Sequence, residues 1–407
     1  MKYLILDNGS YTIKAGYATE PAPHSVQNLL AKAKDGAVYI GNDYLAHTNL
    51  YSGINFRRPH DQGHLTSWET QKPVWDYTFD RLGPDGNEAF DPLDTHLTLT
   101  ETPFQLPRLS MNTDMIVFEE YGFGEYYRCA APLLVPWAAG AVGSAPPDFA
   151  LVVDCGYNAV HVVPVLYQRA YWRGVRKLPI GGRHLNGLLR ETVSFRHYDV
   201  SDEPVLINTV REQTMFVAAE FEAALRKKTA YKCEFILPDF NTTFTGYVHD
   251  GTTKPPPDAQ SIQLFDERFT IPESFFKPEI MLDHNALSKN PLIQKAHFKN
   301  LPELVVEAIR ACPEVCRPLL AQNICVVGGT AKVDGLSARL LLELKRELPE
   351  NWNVRFSEQQ HDLNDVTWYG GVRLADQDIL KQMSITKQEF FEHGENWCQK
   401  LFGFESF

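Results

Sequence analysis

The sequence lacks paired cysteines, a long apolar run and an excess of positive charge. Its seven cysteines (Cys129, Cys155, Cys233, Cys312, Cys316, Cys325, Cys398) are odd in number and include no C-x-x-C pair. No disulfide framework is therefore expected, and the scattered thiols point to a reducing compartment, cytosol or nucleus. The most apolar window, Cys129 to Ala145, contains Pro132 and Pro136 and falls short of a bilayer span, so no membrane role is expected. The opening apolar run breaks at Asp7, too early for a secretory leader. Lys+Arg 39 against Asp+Glu 51 gives a net charge of −12, which argues against a chain devoted to gripping nucleic acid and leaves only a local basic patch open. Without a Lys/Arg-rich import cluster, a nuclear chain of this sequence would travel with a partner. The G-x-x-x-x-G-K-[ST] spacing of a Walker A loop is absent as well.

What is present is an ordinary globular composition, 44% hydrophobic and 22% charged, over 407 residues, enough for two to four folding units. The informative stretch is Leu4 to Tyr17, LILDNGSYTIKAGY. An apolar run ends on Asp7, Asn8-Gly9 is a strong hairpin signal, and Tyr11, Ile13 and Ala15 alternate with polar residues or glycine as a strand does. Such a corner exposes backbone N–H groups beside Ser10, with the Asp7 carboxylate and the Lys14 ammonium close by. Those parts suit a phosphate with a divalent cation. A plain turn is the ordinary alternative. The chain then repeats the arrangement at Phe149 to Val165, where a buried strand ends on Asp154 and a corner contains Gly156. Two such hairpins imply an internal duplication closing on a shared ligand.

Between and after the hairpins, periodicity predicts further elements. A helix follows Ser67 with Trp68, Val74, Trp75 and Phe79 on one face, and Leu97 to Thr100 reads as a strand. Met111 to Tyr121 reads as a helix with Met115, Val117 and Phe118 inward, and Gly83 to Gly86 as a break. Gly181-Gly182 serves either close backbone approach or a turn before a helix at Leu185 to Val193. Val205 to Ala230 reads as one long helix, in which Arg211-Glu212 would ordinarily be a surface ion pair. Lys254 to Pro257 reads as an exposed loop. A third glycine corner, Gly328-Gly329, follows the strand at Ile324 and precedes a helix at Leu336 to Leu348. Thr386 and Glu389 form a capping box opening the last helix, with Gly394 at its end.

Three glycine corners after strands, with two matched aspartates, describe two α/β lobes around a cleft. The strings that carry them resemble the actin family across essentially the whole chain: DNGSYTIKAGYA, DCGYNAVHVVPV, GGRHL, Arg211-Glu212, VVGGTAKVDG, WYGG and ITKQEFFEHG. The resemblance implies an α/β, actin-like (ribonuclease H-like, duplicated) fold of two lobes and four subdomains around a nucleotide cleft. It sets the first lobe at 1–138 with 366–407, carrying a small subdomain at 29–58, and the second at 139–365, carrying one at 178–290. Residue by residue it assigns Gly9, Ser10 and Lys14 to one phosphate corner and Gly156 to the other. Gly182, Arg211, Glu212, Gly328, Gly329 and Thr330 would line the rest of the nucleotide. Asp7 and Asp154 would hold magnesium through water. ATP, ADP or an empty cleft all remain open.

Departures from the family decide the expected function. The position of the glutamine that orients the attacking water is Ala131, which can neither orient nor polarise it, so no catalytic residue and a weak or absent ATPase are expected. Tyr11 replaces a glycine beside the phosphate, Tyr157 and Asn158 alter the second corner, and Lys332, Val333 and Asn364 flank the adenine position. His161 is retained, although a core histidine with a satisfied hydrogen bond explains it equally. The strings KPVWDYTF, VFEEYGFGE, DCGYNAVHVVP and EFILPDF further resemble the sixth class of actin-related proteins. That likeness implies a nuclear, non-filamentous subunit of a remodeller that exchanges a histone for its variant. Its implied partners are a scaffold ATPase, a HIT-type zinc-finger subunit, and nucleosomal histones and DNA; cytoplasmic residence is the further possibility. The alternative is an actin-like ATPase or a cytoskeletal actin-related protein. A basic stretch of Arg169, Arg173, Arg176, Lys177 and Arg183, with Tyr171 and Trp172 interleaved, is a candidate DNA contact, with a solvated hairpin as the ordinary alternative.

Overall fold

The computed structural model describes residues 1–46, 54–82, 90–139, 145–239, 243, 245–251, 258–281 and 298–403. The break expected at Gly83–Gly86 and the loop at Lys254–Pro257 lie outside the described residues. Each lobe is built on one of the two sequence hairpins. In the first, strand Lys2–Asn8 pairs antiparallel with Thr12–Tyr17 and parallel with Thr95–Glu101. The sheet continues outward to His24–Gln27 on one side and to Glu125–Ala130 and Ile385–Thr386 on the other. In the second, Phe149–Cys155 pairs antiparallel with Val160–Leu166 and parallel with Ile324–Val327. The strand runs are continuously apolar because both faces of each sheet are covered; Leu4, Ile5, Leu6, Leu151, Val152 and Val153 are all 0% exposed.

The duplication is visible in the register. Asp7 pairs with Lys14 and Asn8 with Ile13, while Asp154 pairs with His161 and Cys155 with Val160. The two hairpins therefore have the same length and set their aspartates at equivalent rungs. Helix Val366–Ala375 lies against the first sheet, where a Cβ on Gly371 would meet Ile5 Cγ2 at 2.6 Å. That glycine is present to let the helix approach the strand.

Two smaller sheets sit beside the main ones. Leu30–Lys32, Val38–Ile40 and Asn55–Arg57 form one, with its own core of Leu29, Ala31, Tyr44 and Ile54. Val205, from the second lobe, packs against that core, so the small sheet reaches across the cleft. The other combines Cys233–Ile236 with Tyr247–Val248 and Ser261–Leu264. All seven cysteines are free and buried.

Three sequence expectations need correction. The predicted long helix is two: Pro204–Thr214 and Phe221–Arg226, followed by a 3₁₀ turn at Lys228–Tyr231. Between them the backbone is extended because tertiary partners take its hydrogen bonds; Val217 N donates to Asp334 O at 2.7 Å and Phe216 N to Arg268 O at 3.1 Å. The helix expected at Met111 to Tyr121 starts earlier, at Pro107, and changes at Ile116 to a π-helical turn through Tyr121. That change rotates the face, leaving Met115 37% exposed while Val117 and Phe118 stay buried. The capping box at Thr386 opens Lys387–His393, but a further helix, Glu395–Phe402, follows Gly394.

Candidate functional site

The corner of the first hairpin is Gly9, Ser10 and Tyr11. Gly9 N donates to Asp7 O at 3.0 Å, and a Cβ there would lie 2.5 Å from Thr12 O, so only glycine makes this turn. The Asp7 carboxylate is held from both sides. Thr100, on the parallel neighbouring strand, donates its hydroxyl to Asp7 Oδ1 at 2.7 Å and accepts from Asn8 N at 3.1 Å. Lys14 Nζ stands 3.8 Å from Asp7 Oδ2.

The second corner is Gly156, Tyr157 and Asn158, with Gly156 N donating to Ala159 O at 3.0 Å. Here Gly181-Gly182 serves close approach: Gly182 N donates to Gly156 O at 3.3 Å and Arg183 N to Tyr157 O at 2.8 Å. A Cβ on Gly181 would lie 2.6 Å from Tyr157 O. Thr330 Oγ1 donates to Gly156 O at 2.8 Å, fastening the third glycine corner to the second. Gly328 has φ +94°, and its Cβ would meet Cys155 O at 2.5 Å. Burial, reinforced by the nearby Asp7 charge and opposed by Lys14, pushes the Asp154 carboxyl up to about 7.

On the far side of the cleft Arg211 is buried, contrary to the ordinary expectation of a surface pair. Its Nη2 donates to Asn208 Oδ1 at 2.9 Å and to Glu212 Oε1 at 3.1 Å, and Asn208 Nδ2 donates to the same Glu212 oxygen at 2.9 Å. Arg211 Nε has no partner among the described residues. Lys332 Nζ lies 2.6 Å from Asp362 Oδ2, which holds the lysine by an ion pair.

These parts enclose one cavity of about 450 Å³. Asp7, Gly9, Ser10, Lys14, Asp154, Gly156, Gly182, Arg211, Glu212, Gly328, Gly329 and Thr330 all line it. So do Ala131, His161, Lys332, Val333 and Asn364. Ala131 opens a 3₁₀ turn, Ala131–Leu133, directly after strand Glu125–Ala130. His161 is not a satisfied core histidine. Its Nε2 is buried without a partner among the described residues, and burial, with Lys177 and His64, pulls its pKa down to about 3. Sequence reasoning missed Thr100, His60, Asn208 and Met215, which also line the cavity. The alternating threonines of the Thr95–Glu101 strand were a signal for the first; the others carried none.

The cavity fits a nucleotide with a divalent cation. Ser10, Tyr11, Asn158 and Ala159 line it, and their N–H groups donate to no backbone carbonyl among the described residues, which leaves donors for a phosphate. Asp7 and Asp154 are two of the four carboxylate residues on its wall, with Glu101 and Glu212, and oxygen donors of this kind suit a cation held through water. Asp7 and Asp154 would hold that water shell, and the corner amides with Lys14 would hold phosphate.

The basic stretch is less free than its sequence suggested. Arg176 Nε is 3.0 Å from Glu307 Oε1, and Arg183 Nη1 is 3.7 Å from Asp61 Oδ1. Trp172 packs against Phe104, with ring centres 5.9 Å apart, and Tyr171 against the second-lobe core, so the interleaved aromatics do not form a stacking platform. Arg169 and Arg173 remain exposed, and Lys177 sits on the rung opposite His161.

Duplicated hairpins, a Gly-lined interlobe cavity and paired aspartates define an actin-type nucleotide-cleft protein. The actin family profile matches residues 1–403, and the chain belongs to the actin family. Over its whole length it is similar to proteins named Actin-like protein ARP6. It is 56% identical to that of Debaryomyces hansenii, covering 100% of this chain and 99% of the relative. It is 35% identical to that of Saccharomyces cerevisiae, covering 99% and 98%. Actin-related protein 6 of Neurospora crassa is 30% identical, covering 98% and 94%. The chain is an actin-related protein, and domains of this family bind nucleotide with magnesium.

Proposed function

We propose that this chain is a non-catalytic structural subunit, in which the nucleotide cleft clamps two lobes into a platform for assembly. The observation that carries this is Ala131. It lines the cavity, the resemblance matches it to the position of the family's water-orienting amide, and its methyl group can neither accept nor donate a hydrogen bond. The resemblance to the sixth class of actin-related proteins supplies the setting: a nuclear remodelling complex that exchanges a core histone for its variant in nucleosomes. In that setting the partners are the scaffold ATPase, a HIT-type zinc-finger subunit and the nucleosome. Direct DNA contact through Arg169 and Arg173 is the weaker part of the proposal, given the pairing of Arg176.

The test is to purify the chain, denature it and identify released nucleotide by chromatography, then follow phosphate release from added ATP. Nucleotide retained without turnover supports a structural cleft. Turnover abolished by Asp154→Ala overturns it. One observation favours that second, hydrolytic reading: the unpartnered Nε2 of His161 on the cavity wall. Affinity capture from nuclear extract with the intact chain, scored for histone-exchange components by mass spectrometry, tests the assembly role; their absence would remove it.

A further inference from the structure

The two phosphate corners touch each other through side chains. Tyr11, from the first, and Tyr157, from the second, have ring centres 4.8 Å apart, tilted by 46°. Arg58, at the end of the small first-lobe sheet, lies over both. Its guanidinium carbon is 4.2 Å from the Tyr11 ring centre and 5.4 Å from that of Tyr157. Arg58 is itself anchored, since Nη1 donates to Tyr11 O at 2.9 Å and to Asn28 O at 3.3 Å. The Tyr157 ring also lies against the second lobe, because a Cβ on Gly182 would meet its Cδ2 at 3.3 Å. Both rings line the cavity.

Geometry gives this cluster a consequence for the ligand. Ser10 and Tyr11 line the cavity from one lobe and Asn158 and Ala159 from the other, and none of their amides donates to a backbone carbonyl among the described residues. A terminal phosphate reaching both sets would draw the corners together. Here two aromatic rings and a cation already span them, and they fill part of the space between them. Offset aromatic rings attract each other, and a guanidinium over a ring adds to that attraction when water is excluded. Other contacts span the same cleft: Val205 packs against the small first-lobe core, and the exposed Arg183 and Asp61 side chains approach each other.

We propose that Tyr11, Tyr157 and Arg58 form a latch that joins the two phosphate corners in place of a terminal phosphate, so that the cavity retains a nucleoside diphosphate and discriminates against a triphosphate. The proposal rests on the nucleotide-cleft reading above and adds to it a ligand preference and a gate on exchange. Leaving requires the rings to part, so a bound diphosphate exchanges slowly.

The test uses the full chain, stripped of nucleotide with a chelator and titrated with MgADP and MgATP, together with release of a fluorescent ADP analogue. Wild type is expected to prefer MgADP by about tenfold or more. The double variant Tyr11→Gly, Tyr157→Asp is expected to lose most of that preference and to release the analogue about tenfold faster. Arg58→Ala changes no corner residue and removes only the guanidinium with its bonds to Tyr11 O and Asn28 O; it guards against a folding defect in the double variant and is expected to speed release by a smaller factor. Equal affinity of wild type for the two nucleotides overturns the latch, as does an unchanged release rate in Arg58→Ala. Failure of wild type and variants alike to bind either nucleotide overturns the nucleotide-cleft reading itself, a result distinct from binding without preference.

Discussion

The hairpins of the two lobes place an aspartate at the same rung and then surround it differently. Asp7 faces Lys14 and accepts from the Thr100 hydroxyl; Asp154 faces His161, whose Nε2 is unpartnered, and looks toward Asp7. One carboxylate is therefore answered within its own lobe, and the other carries a pKa raised to about 7 by burial and by its counterpart. A duplicated backbone has kept its geometry while its charges diverged. The pair forms one asymmetric site, in which Asp7 has an ammonium and a hydroxyl as partners and Asp154 is raised by burial and by the Asp7 charge.

The comparison can be broken most forcefully at Lys14, which is 9% exposed. Lys14→Met leaves the buried Asp7 carboxylate without its cation, and a loss of about 3–5 kcal/mol in urea unfolding at pH 8 is expected. A loss under about 1 kcal/mol would mean that Thr100 alone answers the charge. Next in size is the packing of the third glycine corner onto the second hairpin. Gly328→Ala forces a side chain into φ +94° and against Cys155 O, so a loss of about 2–4 kcal/mol is expected from thermal unfolding. Gly36, at φ +91° with nothing near its added Cβ, is the control, and Gly36→Ala should cost about 1 kcal/mol.

The third prediction concerns pH. A carboxyl whose folded pKa lies above its ordinary value favours the folded state fully only below about pH 4, and that contribution is lost as pH rises through about 7. The metal-free chain should therefore lose about 1–3 kcal/mol between pH 4 and pH 8 through Asp154, and Asp154→Asn should remove that component. Chemical denaturation of both forms in chelator across this range is the measurement; parallel curves would show that Asp154 is not strained. The smallest effect is expected at Thr100→Val, which deletes the hydroxyl between Asp7 and Asn8 N, at about 1–2 kcal/mol. Calorimetry resolves it, and a neutral variant would transfer the whole of the Asp7 compensation to Lys14.

Much of this site was legible because its signals are local. The run into Asp7, the Asn8-Gly9 turn and the echo at Asp154 are properties of a dozen consecutive residues each, and all twelve residues assigned to the nucleotide line one cavity. What was misread depended on distant partners. Phe216 and Val217 continue the apolar pattern of the preceding helix, yet Arg268 and Asp334 take their backbone bonds and the helix stops. Arg211 looked like a surface charge until Asn208 and the cleft enclosed it. Arg58 lies in a stretch with no periodic signal, and nothing nearby in sequence indicates that it rests on Tyr11.

The sequence by itself determined the two strand–corner–strand units, their glycines and the pairing of Asp7 with Asp154. These follow from alternation and turn stereochemistry, which act between neighbours along the chain. Only the tertiary structure decided that Lys14, across the rung from Asp7, also acts on Asp154 without cancelling its burial, and that Tyr11, Tyr157 and Arg58 meet over the cleft. Those relations join positions far apart in the chain, and only the packing of one lobe on the other brings them within contact distance.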